Sequence, residues 1–309
     1  MALTDRDTSS NYLGELFLVG AYQTPFLNMI GGLGGARAKL TKSMIFPVAQ
    51  PYSLASAAIP AIDEDELVTA GTPTTVARSQ DLNTVMIFKK DVEVSYLKTA
   101  AYGELAGLSA LGTQPVTDEM AFQKMAQLKQ IALDAELAFL TGTYAAATNS
   151  STAAQTRGII TACTTNTLAA GGAALTKAMI DAELLEMATN GAVFENIVMF
   201  VNGFQKQKVS GIYGYAPEDR NVGGVNVKQI ETDFAQIGVV YDPQIPAGTI
   251  LFADMNFVYP VFLPFRGQTL FYEDLAKTAG AEKGQFIAFA GLDYGPEEYH
   301  STITGLATA

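Results

Sequence analysis

The sequence has one cysteine and one histidine in 309 residues, and each scarcity excludes chemistry. A lone thiol, Cys163, rules out an intrachain disulfide and any cysteine-based metal cluster, and reads as a small buried or loop residue. A lone imidazole, His300, would have to carry any Ser-His-Asp or Cys-His mechanism by itself. A histidine metal site has no second histidine to use, so His300 reads as structural. Basic charge is short as well. Against 31 Asp and Glu stand 19 Lys and Arg, a formal net charge of −12, and no basic run exceeds Lys89–Lys90. Direct reading of nucleic acid is thereby excluded, because it needs a basic face for phosphate contacts. An acidic wall can still enclose nucleic acid, since repulsion keeps a polyanion from adhering to it. No apolar run approaches the ~18 residues of a membrane span. The opening residues, MALTDRDTSSNYLG, lack the basic-then-apolar order of a signal peptide, so the expected setting is a cytoplasm.

Hydrophobic residues make up 49% of the chain and charged ones 16%, which excludes wholesale disorder and suits a subunit that hides surface against partners. The length allows two domains, or one elongated subunit with a sizeable core. Residues 1–44 begin polar, continue as LFLVGAYQTPFLNMI and end in the glycine-rich GGLGGAR. With little core of its own, this segment reads as an arm that gains order against something else. Residues 45–97 read as a long β-hairpin. An outgoing strand is expected at 53–59, a polar tip at DEDE (63–66) and AGTPTT (70–75), and returning strands at 84–88 and 92–96. A hairpin this long with so few large apolar residues cannot bury its own faces and needs a neighbour to lie on.

The segment 117–142 predicts one long helix, with Thr117 as N-cap, Asp118 and Glu119 in the first turn and Gly142 as the stop. At ~1.5 Å per residue it makes a rod of roughly 37 Å, about twice the typical length. Ala121, Phe122, Met125, Leu128, Ala132, Ala135 and Phe139 fall on one arc, expected to be core, with Leu128 buried. Gln123, Gln127, Gln130 and Asp134 form a narrow polar stripe, while Lys129 and Glu136 lie within the apolar side. An Ala/Thr/Ser/Gly-rich loop (143–174) leads into a mixed α/β region. There a helix is expected at 176–189, a buried strand at 197–201 and a second helix from Gly203. Short strands follow near 225–232, 237–241, 249–254 and 269–273, then a strand at 285–292 and a tail alternating Tyr299, Ser301 and Ile303.

Candidate sites are poor in chemistry. GGLGGAR (31–37) lacks the Lys-Ser/Thr ending of a phosphate-binding loop and a preceding strand, so it reads as a hinge. The carboxylates of DEDE would splay to opposite sides of an extended tip. They read as a solvated tip, or one facing basic residues of a neighbour. No catalytic, cofactor-binding or metal residue is assigned.

The order of parts is arm, long hairpin, long helix, α/β module, returning strands. Several stretches add to it: RSQDLNTVMIF (78–88), VEVSY (92–96), DAELAFLTG (134–142), RGI (157–159), TDFAQIGVVYDPQIP (232–246), ILFAD (250–254) and FLPFRG (262–267). On these the chain resembles the major capsid proteins of tailed bacteriophages, the Hong Kong 97-type capsid fold. The resemblance covers residues 15–306. It implies an α+β chain with an N-terminal arm (1–44) and an extended loop (45–97). A peripheral domain (98–159 and 251–309) would hold the spine helix 117–141, and an α/β axial domain would span 160–250. It further implies pentamers and hexamers that assemble in a host bacterial cytoplasm into an icosahedral shell enclosing double-stranded DNA. Portal and scaffolding proteins, and a decoration or cementing protein, are the implied partners; no cofactor is.

Candidate contacts between subunits are Arg37, Asp63, Glu64, Asp65, Glu66, Arg78, Lys89, Lys90, Lys129 and Glu136, the last two against a covering arm or loop. The chain departs from some members in two ways. No scaffolding segment precedes the arm, which implies a separate scaffold or a trimmed chain. The hairpin lysines, Lys89 and Lys90, lie only near its returning base, which implies a shell held by noncovalent contacts. The alternatives are an encapsulin-type nanocompartment shell on the same fold, or an unrelated hydrolase using His300 or the acidic residues.

Overall fold

The computed structural model describes residues 23–34, 37–48, 52, 54, 57–69, 75–76, 80–100, 118–214, 229–277 and 279–308. The expectations for residues 1–22, Arg78, Thr117 and a strand over 225–228 lie outside the described residues. In chain order the elements are α1 (Pro25–Met29), β1 (Lys39–Leu40), β2 (Ile45–Pro47), α2 (Glu64–Val68), β3 (Leu82–Thr84) and β4 (Met86–Ser95). Then come α3 (Tyr96–Ala100), α4 (Glu119–Thr141), α5 (Ile159–Ala162), β5 (Thr167–Ala169), α6 (Lys177–Thr189), β6 (Ile197–Val201) and α7 (Gly203–Tyr213). The rest is β: β7 (Gln229–Glu231), β8 (Gln236–Tyr241), β9 (Ile250–Asp254), β10 (Tyr259–Phe262), β11 (Leu270–Asp274), β12 (Ala281–Asp293) and β13 (His300–Thr304).

Two mixed sheets organise these elements. In the first, the 13-residue β12 is central. Along one edge β4 runs antiparallel to it, from Ser95 opposite Ala281 to Met86 opposite Ala290. Its other edge is shared by β10 and β11, and β1 joins β10 in parallel. Alternation along β4 buries Phe88, Val92 and Val94 on the face that meets α4 and leaves Ile87, Lys89, Asp91 and Glu93 exposed on the other.

The second sheet has the order β5-β13-β9-β6-β8-β7. Every residue of β6 (IVMFV) and of β9 (ILFAD) is buried, as continuous apolar runs require of strands covered on both faces. Val198, Phe200, Leu251 and Ala253 enter one core with α1, α4, α5 and the inner face of the first sheet. Ile197, Met199, Val201, Ile250 and Phe252 enter a second core with α6, α7 and β13. The sheet is thus the wall between two cores.

Side-chain caps start the longer helices. Thr176 accepts from Met179 N, Asn202 from Gln205 N, and Asp118 from Ala121 N. The cap of α4 is therefore Asp118, one residue later than the expected Thr117, and Gly142 ends the helix. Two glycines let that end pass against the next segment. Gly158 N donates to Gly142 O at 2.8 Å, and a Cβ on Gly142 would lie 2.4 Å from Thr156 O. This close approach joins two of the quoted stretches, DAELAFLTG and RGI.

Two expectations are corrected. Only the C-terminal half of α4 is core: Ile131, Ala135, Phe139 and Leu140 are fully buried, whereas Phe122, Met125 and Leu128 are exposed, Leu128 to 39%. The apolar arc is continuous, but α1, α5 and the sheet cover only its second half. The hairpin also differs. β2 and β3 pair antiparallel from Ile45 opposite Thr84, closing its base, while the expected strands at 84–88 and 92–96 are one strand, β4, within the first sheet. Leu54 and residues 57–59 form no strand. The DEDE run is helical, because Asp63 accepts from Glu66 N as an N-cap and the acidic first turn suits the helix start.

Replacing Leu128 with Asp should shift stability by less than about 1 kcal/mol, as for an exposed site. Phe139→Ala should cost about 3–5 kcal/mol through the cavity it leaves. Urea unfolding of the full chain measures both; a Leu128→Asp chain that fails to fold would return that face to the core.

Candidate functional site

The groups with most chemical potential are spent on structure. His300 is fully buried; Asp254 N donates to its Nδ1 at 3.2 Å, and its Nε2 lies 2.5 Å from the Tyr294 carbonyl. Both ring nitrogens therefore have backbone partners, which fixes a neutral ring with the proton on Nε2. Burial lowers its pKa from the usual value to about 4. Cys163 is buried, and that burial, with Glu297 and Glu183 nearby, pushes its thiol far above the ordinary range, away from the reactive thiolate. Glu183, also buried, accepts from Ser301 Oγ at 2.5 Å. Among the described residues no cluster of three His, Cys, Asp or Glu side chains could hold a metal ion.

Surface apolarity is the unusual feature. Between β2 and β3 the chain exposes Leu54, Ile59, Ile62, Leu67 and Val68; Ile59 is 93% exposed, and α2 buries none of its residues. The open half of α4 adds Phe122, Met125 and Leu128. By helical spacing Lys129 falls on the arc between Phe122 and Met125, and it too is exposed. An apolar loop bearing Asp63, Glu64, Asp65 and Glu66 and an apolar helix face bearing Lys129 thus stand in one chain, both uncovered. Such surfaces mark interaction sites.

The other candidate contact residues are engaged within the chain, except Lys89 in part and Arg78, which lies outside the described residues. Arg37 Nη2 donates to Met255 O at 2.5 Å, and its guanidinium lies 5.1 Å from the Tyr259 ring centre. Lys90 pairs with Asp134 of α4 at 2.7 Å, tying β4 to the helix. Lys89 is half-exposed and 3.4 Å from Asp91. Glu136 is fully buried: its Oε1 accepts from Phe26 N at 2.9 Å and its Oε2 from Leu27 N at 2.5 Å. Its partners are backbone groups of α1 in its own chain, where the expectation is a contact between subunits.

Three polar groupings had no local signal in the sequence. Asp242 shares the Glu136 site from the far side of the chain. Arg157 bridges Asp81 while Tyr294 OH donates to Asp81 at 3.1 Å, fastening the base of the hairpin to the end of β12. Lys98 of α3 pairs with the buried Glu119 at 2.7 Å. Each joins residues distant in sequence, which periodicity cannot pair.

The arrangement is suited to binding over a broad surface. The profile of a family described as SU10 major capsid protein matches residues 3–307. Among solved structures, the capsid asymmetric unit of cyanophage A-1(L) is similar at 13% identity and a TM-score of 0.67, over 96% of this chain and 95% of that one. The capsid of cyanophage P-SCSP1u is similar at 12% identity and a TM-score of 0.60, over 97% and 93%. The encapsulin of the holo-SrpI complex from Synechococcus elongatus is similar at 10% identity and a TM-score of 0.60, over 100% and 98%. At such identities the likeness is one of fold alone. No curated protein matches the sequence.

The buried neutral His300 makes a signed prediction. Its folded pKa of about 4 lies below the ordinary 6.5, so the unfolded chain takes up the proton first as pH falls. Its contribution should be whole above pH ~6.5 and fade toward pH ~4, by about 3 kcal/mol in total. The difference in urea stability between the wild type and His300→Gln should shrink by that amount over this window. A difference independent of pH would show that the ring is not held neutral.

Proposed function

The chain belongs to the SU10 major capsid protein family, and we propose that it encloses packaged double-stranded DNA as an icosahedral shell of pentamers and hexamers. As a member it is a structural shell protein rather than an enzyme. The observation that carries the finer reading is the uncovered loop between β2 and β3. Leu54, Ile59, Ile62, Leu67 and Val68, five of its described apolar side chains, have no core of their own. Burying each against another copy yields about 1.5–3 kcal/mol, on the order of 10 kcal/mol together, comparable to the ~4–15 kcal/mol lost on association. One contact is modest; a closed shell multiplies it.

In this reading residues 1–44 are the arm, 45–97 the extended loop, 98–159 with 251–309 the peripheral domain and 160–250 the axial domain. Support comes from the first sheet, whose β10, β11 and β12 all lie within 251–309, and from α6, α7 and β6 to β8, which all lie within 160–250; β9 and β13 join the two segments in the second sheet. The acidic Asp63–Glu66 run meets basic residues of a neighbouring copy, with Lys129 and Lys89 as the exposed candidates on this chain. The shell is held by noncovalent contacts. A net charge of −12 lets DNA pack inside without adhering to the wall. Portal, scaffolding and cementing proteins complete the particle, which assembles in the host cytoplasm.

Deleting residues 57–69 tests the reading. The subunit should keep its unfolding midpoint, because none of those residues is buried. Sedimentation and electron microscopy should find no stable shells. Shells of normal yield and stability from that deletion would contradict the assignment of the loop.

A further inference from the structure

The most unusual buried site lies where three elements meet: α1, the C-terminal half of α4, and the connection that follows β8. Glu136 and Asp242 are both fully buried there, with their carboxyl groups in side-chain hydrogen-bonding contact. Glu136 already accepts two backbone N–H groups from the first turn of α1. Asp242 Oδ1 accepts from Gln244 N at 2.8 Å, while its buried Oδ2 meets no donor among the described residues. Two carboxylates in contact repel, and a buried oxygen without a donor is costly. One proton held between the two groups resolves both problems.

Among the described residues, the cations of the elements packed around the pair are engaged elsewhere. Neither α1 nor α5, which pack on α4, contains an ionisable residue. From β4, Lys90 is paired with Asp134 and Lys89 lies by Asp91; Lys283 of β12 lies by Glu93. Lys98 of α3 is paired with Glu119, and Lys124 of α4 sits over the Tyr272 ring. On the Asp242 side, Lys206 of α7 donates to Val239 O. Apolar contact holds the rest of α1: Phe26 meets Phe200 of β6 edge to face at 5.4 Å.

We propose that Glu136 and Asp242 form a one-proton latch that docks α1 onto α4 and the second sheet, and that loss of this proton releases α1. Burial raises the pKa of both groups, Glu136 to about 9, with the charge of Asp242 adding to it. In the released state water reaches the pair, which then ionises near the ordinary carboxylate range. The docked state therefore binds one more proton than the released state between the two limits. Docking is complete at the acid end of that window and weakens about tenfold per pH unit toward its alkaline end. The latch does not depend on shell formation, so it can fail or stand apart from the capsid reading.

Hydrogen–deuterium exchange of the full chain, corrected for intrinsic exchange rates, reads the latch directly. Protection of amides in residues 25–32 should fall at least tenfold between pH 6.5 and 9, while β6 stays protected. In Asp242→Asn a permanent amide N–H replaces the shared proton, so the pH dependence should vanish and α1 stay protected throughout. If that variant does not fold, Glu136→Gln serves, because it has no proton to lose and must also be flat with pH. Flat protection in the wild type, loss of β6 protection together with α1, or a wild-type slope in either variant would each overturn the proposal.

Discussion

Burial of β6 and β9 on both faces is the constraint on which the rest of the structure depends. Each strand sends alternate side chains into opposite cores, so neither core can be repacked without moving the sheet they share. The first core reaches through this sheet to α1, α4 and β12; the second holds α6 and α7. Close packing on both faces of a shared sheet couples the two cores. Such coupling suits a shell, where strain at one edge has to be carried to the next copy.

Away from that sheet the chain is built on the opposite principle. The loop between β2 and β3 has a paired base, fastened by Asp81, Arg157 and Tyr294, and over residues 57–69 it buries none of its apolar side chains. The open half of α4 is similar, an apolar arc that the subunit begins to cover and leaves unfinished. Its covered half is closed by α1, and there the polar insert, Glu136, has found partners in backbone N–H groups. In the open half the corresponding insert, Lys129, faces solvent. The same helix thus displays a filled site and an unfilled one along a single stripe.

Much of this was legible in the sequence, for reasons that residues make plain. The apolar run at 197–201 gave away β6 as a buried strand, and the helices expected at 176–189 and from Gly203 are α6 and α7. The length of α4 was visible; the exposure of Phe122, Met125 and Leu128 was not. Helical period marks an apolar face but cannot say whether its own chain or another copy covers it. The helix at 64–68 had a signal that the reading as an extended tip passed over, an Asp cap followed by an acidic turn. The Glu136–Asp242 pair had none, because nothing local distinguishes a carboxylate that will be buried against another. Lys90 likewise showed its charge, but not that Asp134 would take it.

The central claim is that the apolar loop surface is an interface between copies of this chain. A density map of assembled particles at side-chain detail tests it most directly. The account predicts closed shells in which residues 57–69 of each copy are buried against another copy. Closed shells whose loops stand free in solvent, or a chain that stays a monodisperse monomer at every concentration, would contradict it.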